Sequence, residues 1–241
     1  MQPDLSSPAG AGDPRRALVL GGTGAVGSAV LRELARRSVP AAFGYHRSAD
    51  KAQMLALEYG HTAFQIDLAD ADATRAALDA QDTPDVLIHC AGVSAPRTLD
   101  ELDVAAWQHA MAVNTQSAFL ACQWIAACGR PCDVVLVGAL DRAQSLPLPV
   151  HFAATQGALS ALVMALGHEL GPRGIRINLV ALGVLDSGLS DSLVARRRKD
   201  YETFSALRRI GTPDEAAKTI AWLALENTFI QGKVISVNGG I

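Results

Sequence analysis

An aliphatic run, Ala17-Leu18-Val19-Leu20, leads directly into Gly21-Gly22-Thr23-Gly24-Ala25-Val26-Gly27, and over residues 28–37 the apolar positions recur at helical spacing. The pattern predicts a strand, a tight glycine turn and a helix. Further apolar runs of strand length lie at 41–45, 63–66, 86–90, 134–137, 175–180 and 234–237, with helical periodicity between most of them. Strands alternating with helices predict one α/β domain over residues 15–241, its parallel sheet doubly wound with helices on both faces. No internal repeat or interdomain linker interrupts it. Pro213-Asp214-Glu215 opens a late helix, with proline in its first turn and acids at its positive end.

Two stretches, 104–129 and 143–168, carry no Asp, Glu, Lys or Arg and exceed the length of a membrane span. Gln, Asn, Thr and His interrupt both, so they are expected to be helices buried on every side, in part by a subunit interface, and no membrane association is expected. The first fourteen residues are rich in Pro, Ser, Gly, Ala and Asp, lack the basic and apolar regions of a secretory signal, and read as a flexible arm.

Composition narrows the function. A chain of 241 residues with 49% hydrophobic, 19% charged and 5% aromatic residues is an aliphatic globule, and its net charge of −3 predicts no broad nucleic-acid footprint. The four cysteines, Cys90, Cys122, Cys128 and Cys132, show neither disulfide nor metal-ligand spacing. They predict free thiols in a reducing, cytoplasmic compartment, and no metal.

The glycine turn is the first candidate site. Gly21, Gly24 and Gly27 allow close backbone approach to a pyrophosphate, while the helix that follows offers unpaired N–H groups and a positive dipole end. A tight strand-to-helix turn also needs glycine for steric reasons alone. At the end of the second run, where an acid selects NAD, the chain reads Tyr45-His46-Arg47-Ser48, and Arg47 favours NADP if a cofactor is bound at all. The alternative reading of Arg47 is a solvated surface residue.

From Ala17 to the C-terminus the chain resembles the short-chain dehydrogenase/reductase family, in particular its β-ketoacyl thioester reductases. Asp67-Leu68 resembles the family's adenine-contacting pair, and Cys90-Ala91-Gly92 resembles its Asn-Ala-Gly after the fourth strand. Asn114 in Val113-Asn114-Thr115 matches the catalytic helix asparagine. Gly171-Pro172-Arg173-Gly174-Ile175-Arg176-Ile177-Asn178 resembles the lead into the sixth strand. Leu182-Gly183 with Ser187 resembles the loop over the nicotinamide, with leucine for its proline. The resemblance implies a single-domain Rossmann fold, NADP or NAD at Gly21, Gly24, Gly27, Arg47, Asp67, Leu68, Ala91, Gly92, Gly183 and Ser187, and tetramers closed by the uncharged helices and the C-terminal strand.

The family's chemistry needs a tyrosine to exchange a proton with substrate, a lysine four residues later to lower its pKa, and a serine to hold the substrate oxygen. The corresponding positions are Phe152, Gln156 and Ala139. Tyr45, Tyr59 and Tyr201 are the only tyrosines, and none has a lysine four residues on. Phe for Tyr and Ala for Ser keep the shape and remove the proton donors.

The first expectation is therefore a catalytically silent subunit that pairs with an active paralogue, as a hetero- or homo-tetramer, in β-hydroxyacyl or β-ketoacyl thioester metabolism. The alternatives are a non-redox cyclase, isomerase or lyase using His151, Asn114 or the pair Asp141-Arg142, and a weak NADP-dependent reductase. His151 otherwise reads as a partly buried loop histidine bonded to backbone, and Asp141-Arg142 as a solvated turn. Arg130 and Arg173 resemble positions that meet acyl carrier protein. Arg196-Arg197-Arg198-Lys199 lies where the family has a substrate lid, either to hold coenzyme A phosphates or as a solvated helix face.

Overall fold

A computed structural model describes residues 15–139 and 148–241. The arm over 1–14 and the Asp141-Arg142 pair lie outside the described residues. Seven strands form one parallel sheet in the order β3-β2-β1-β4-β5-β6-β7: β1 Ala17–Leu20, β2 Ala41–Tyr45, β3 Thr62–Gln65, β4 Val86–His89, β5 Cys132–Gly138, β6 Ile175–Leu182 and β7 Val234–Val237. The order reverses between β1 and β4, the switch point at which a doubly wound sheet opens a crevice at the carboxyl ends of its strands.

Alternation along each strand feeds two cores. Val19, Phe43, Ile88, Val135 and Val180 face α1 (Ala25–Arg36), α2 (Ala49–Tyr59) and α8 (Pro213–Leu225). Leu18, Leu20, Leu87, Leu136 and Leu179 face α3 (Ala71–Asp79), α5 (Ser117–Cys128) and α6 (Val150–Leu170). Each leucine withdrawn from water in this way contributes about 2 kcal/mol, which is why a strand of only four residues holds its place. α8 begins as its sequence suggests: Thr212 and Glu215 form a reciprocal capping box around Pro213.

Two boundaries need correction. α1 starts at Ala25, three residues before the periodicity becomes visible, because Gly24 serves as its cap. β6 runs on to Leu182, since both faces of its extension are covered. The uncharged stretches are not buried on every side in the single chain. α4 (Val104–Met111) buries only Ala110, with Val104, Trp107 and, on α5, Phe119 exposed. Over 150–173 the chain is long and apolar enough to cross a membrane, yet α6 buries Phe152, Thr155, Gln156, Leu159, Val163, Gly167 and Leu170 in one stripe at helical spacing against the sheet. Absence of charge measures composition, and one buried face per helix satisfies it.

Candidate functional site

At the switch point, the glycine turn is closed by its own backbone. Gly21 has φ +81°, and a Cβ there would lie 2.7 Å from the backbone of Ala91; a Cβ on Gly27 would lie 2.2 Å from the Gly21 carbonyl oxygen. Both glycines are therefore required by the turn itself, whatever binds to it. Gly24 caps α1 without a side-chain hydrogen bond, and no acid occupies the first turn. Gly24, Ala25 and Val26 line a cleft of about 320 Å³, so the positive end of α1 opens into a cavity, a geometry suited to a pyrophosphate.

Around this cleft most of the other sequence-selected positions assemble. Ala91 and Gly92 form its wall after β4, and Gly183 and Ser187 lie on the loop after β6. That loop closes down on α1: a Cβ on Gly188 would meet the Ala25 Cβ at 2.9 Å, and Leu189 approaches Gly92. Gly183 is glycine for a reason the sequence does not disclose. The Tyr201 hydroxyl fills the space where its Cβ would stand and donates to the Asn238 carbonyl at 2.6 Å, tying α7 (Ala195–Phe204) to the C-terminal segment. At the end of β2 Arg47 is exposed, and the segment Tyr45-His46-Arg47-Ser48 holds no acid. Asp67 lies nearby, 3.6 Å from His46, with its other oxygen accepting the Ala69 N–H.

Asn114 sits in a π-helical turn, Ala112–Gln116, between α4 and α5. Such a turn widens the helix and re-aims a side chain, often at functional sites. Asn114 grips the loop after β4, accepting the Val93 N–H at 2.7 Å and donating to the Val93 carbonyl at 2.9 Å. It also donates to Thr155 Oγ1 at 3.0 Å. The turn is braced from beneath by His89, which donates from Nε2 to Ser117 Oγ at 2.7 Å, while that hydroxyl donates to the Val113 carbonyl at 2.6 Å. Burial lowers the His89 pKa to about 4, so the ring is neutral. Sequence reading missed Thr155, His89, Ser117 and Tyr201; only Thr155, inside Phe152-Ala153-Ala154-Thr155-Gln156, stood in a motif that marks it.

One wall of the cleft is apolar. Phe152 and Ala139 line it beside Leu148, Pro149, Leu182 and Val137. Gln156, 3% exposed, is committed to structure: its Oε1 accepts the Ala139 N–H at 3.0 Å and its Nε2 donates to Thr155 Oγ1 at 3.2 Å. A Cβ on Gly138 would stand 2.7 Å from Gln156 Oε1, so the amide is seated against bare backbone. No ammonium, phenol or serine hydroxyl occupies these three positions.

A family profile described as enoyl-(acyl carrier protein) reductase matches residues 23–241. The chain belongs to the short-chain dehydrogenase/reductase family. It is 27% identical to a 3-oxoacyl-[acyl-carrier-protein] reductase of Staphylococcus aureus, over 94% of this chain and 98% of that protein. Among solved structures, a short-chain dehydrogenase/reductase of Serratia marcescens is 28% identical, covers 94% of this chain and 97% of its own, and superposes with a TM-score of 0.86. A structure of BdcA in complex with NADPH is 27% identical over 94% of both chains, with a TM-score of 0.87.

Other candidates of this short-chain dehydrogenase/reductase lie apart from the cleft. His151 is not a loop residue: it is buried in the first turn of α6, with Nε2 accepting the Ala95 N–H at 3.3 Å. It lines a different hollow from Phe152, because consecutive helical residues point about 100° apart. Arg130 and Arg173 precede β5 and β6, at the amino ends of the parallel strands and so opposite the carboxyl-end cleft; Arg130 lies 3.8 Å from Asp85 and Arg173 donates to the Ala126 carbonyl. Of the basic run on α7, Arg198 bonds the Ser190 carbonyl and Asp191, and Lys199 pairs with Glu202.

Proposed function

We propose that this chain is a catalytically silent member of its family, which keeps a dinucleotide cleft and pairs with an active paralogue acting on β-hydroxyacyl or β-ketoacyl thioesters. One observation carries the reading: the three positions from which the family works on a substrate oxygen hold Phe152, Ala139 and a Gln156 whose amide is already bonded to backbone and Thr155. NADP, or NAD less favourably, would lie with its pyrophosphate at Gly21, Gly24 and Gly27, its adenosine toward Arg47, Asp67 and Leu68, and its nicotinamide end near Ala91, Gly92, Gly183 and Ser187. The exposed Arg47, in a segment at the end of β2 that holds no acid, supports NADP, as does the NADPH held by a relative of similar fold. When bound, the dinucleotide supplies hydride; the chain's own groups position it without offering a proton to an adjacent carbonyl oxygen.

The exposed Val104, Trp107 and Phe119 support an assembly through α4 and α5, as a tetramer with a paralogue or with itself. The free thiols are consistent with a cytoplasmic setting. Arg130 and Arg173 would serve acyl carrier protein, and the α7 cations a coenzyme A thioester, only by reaching a neighbouring subunit's cleft or with the α7 loop rearranged. The non-redox reading loses its first candidate base, since His151 faces away from the cleft. Co-expression with a paralogue that keeps Tyr and Lys tests the proposal: a mixed oligomer whose thioester turnover requires the paralogue's tyrosine supports it, and this chain alone turning over a β-ketoacyl thioester refutes it.

A further inference from the structure

Residues 184–194, between β6 and α7, form one side of the cleft: Leu189, Ser190, Ser192 and Leu193 line it, and Gly188 and Leu189 reach across to Ala25 and Gly92 on the other side. The first end of this lid is fixed by backbone pairing, the Gly211 N–H donating to the Val184 carbonyl at 3.0 Å and the Asp186 N–H to the Gly211 carbonyl at 2.9 Å. Its second end is carried by α7, and α7 has almost no apolar face with which to hold itself to the domain. The helix buries one residue, Tyr201, and a hollow of about 110 Å³ between Tyr201, Leu207 and Asn238 leaves it unpacked on one side. Where packing is missing, the hydrogen bonds decide where the helix sits.

Those bonds run to the C-terminal segment. The Tyr201 hydroxyl, seated against Gly183, donates to the Asn238 carbonyl at 2.6 Å. Burial pushes the phenol above its usual range, so it keeps the proton it donates at neutral pH. Just past the helix, Ser205 Oγ and the Leu207 N–H both donate to the Gly239 carbonyl, at 3.0 and 3.1 Å. Toward the lid, Arg198 on the same helix donates to the Ser190 carbonyl at 3.1 Å and lies 3.3 Å from Asp191. A continuous chain of contacts therefore joins the C-terminal segment, α7, the lid and the cleft. We propose that Tyr201 is a positioning residue for the cleft: by docking α7 on the C-terminal segment it latches the lid over the nicotinamide half of a bound dinucleotide. The ligand named here rests on reading the cleft as a dinucleotide site; the latch itself does not.

The full-length chain is compared with Tyr201→Phe, which keeps the ring and loses the hydroxyl. Hydrogen exchange without ligand should quicken over residues 186–204 and stay unchanged in the sheet. NADPH should leave about tenfold faster, the loss expected when a buried carbonyl forfeits its donor. Affinity for 2′,5′-ADP should not change, because that nucleotide lacks the half beneath the lid, and a general loss of stability would weaken both nucleotides alike. Arg198→Gln cuts the next contact in the chain and should show the same selectivity, which decides the matter if Tyr201→Phe fails to fold. Unchanged exchange over 186–204 in a folded variant, or equal weakening of NADPH and 2′,5′-ADP, overturns the proposal. A parent chain that binds neither nucleotide would refute the dinucleotide reading, and the latch would then stand or fall on the exchange over 186–204.

Discussion

Replacing His89 by glutamine should flatten the acid limb of the protein's stability. His89 is 0% exposed, and its pKa is lowered from 6.5 to about 4 because burial penalises the charged ring. In the unfolded chain the ring binds a proton as pH falls below about 6.5, while in the folded chain it stays neutral until about 4. The unfolded state therefore holds more protons across that window, and stability drops as pH falls through it. At about 1.4 kcal/mol per unit, the gap amounts to about 3 kcal/mol lost by pH 4, with little further loss from this group below it. His89→Gln retains an amide N–H able to reach Ser117 Oγ and removes the titration. The assay is urea unfolding of both proteins from pH 7.5 to 4.5, taking the difference at each pH so that the carboxylates common to both cancel. Parallel pH profiles would refute the reasoning, and would mean that the ring is hydrated or already charged in the native protein.

Gly27→Ala should cost more than about 2 kcal/mol, because its Cβ would lie 2.2 Å from the Gly21 oxygen; a melting temperature within a degree or two of the parent would contradict that. Burial pushes the Cys122 thiol, 2% exposed, up to about 12, so it should not react with a thiol reagent at pH 7 until the chain unfolds, as timed mass spectrometry would record. Arg47→Asp should weaken NADPH about tenfold or more and leave NADH unchanged or tighter; equal losses for both cofactors in a fluorescence titration would remove Arg47 from the site.

The architecture was legible because a parallel sheet buried on both faces must be written in short aliphatic runs, and because Gly21 and Gly27 are compelled by backbone contact in a turn of that shape. Phe152, Gln156 and Ala139 stand in ordered motifs of the sequence, and the fold brings all three to the cleft. What escaped depends on contacts distant in sequence. Tyr201 explains Gly183 from 18 positions away, and the His89–Ser117 brace joins a strand end to a helix across 28 residues. The direction of His151 was hidden too, since one step along a helix decides whether a side chain enters the cleft or the hollow beside it. How much of the α4 burial belongs to the chain itself was not legible: the single chain buries only Ala110, and the other apolar residues face outward, where the expected subunit interface would cover them.

The central claim is that the cleft lost its chemistry at three positions. The most direct measurement is NADPH oxidation with a simple β-ketoacyl thioester, comparing the native chain with the triple variant Ala139→Ser, Phe152→Tyr, Gln156→Lys, each first shown to bind NADPH. No turnover above background is expected of the native chain, and measurable turnover of the triple variant. Turnover by the native chain at a rate ordinary for a reductase would contradict it.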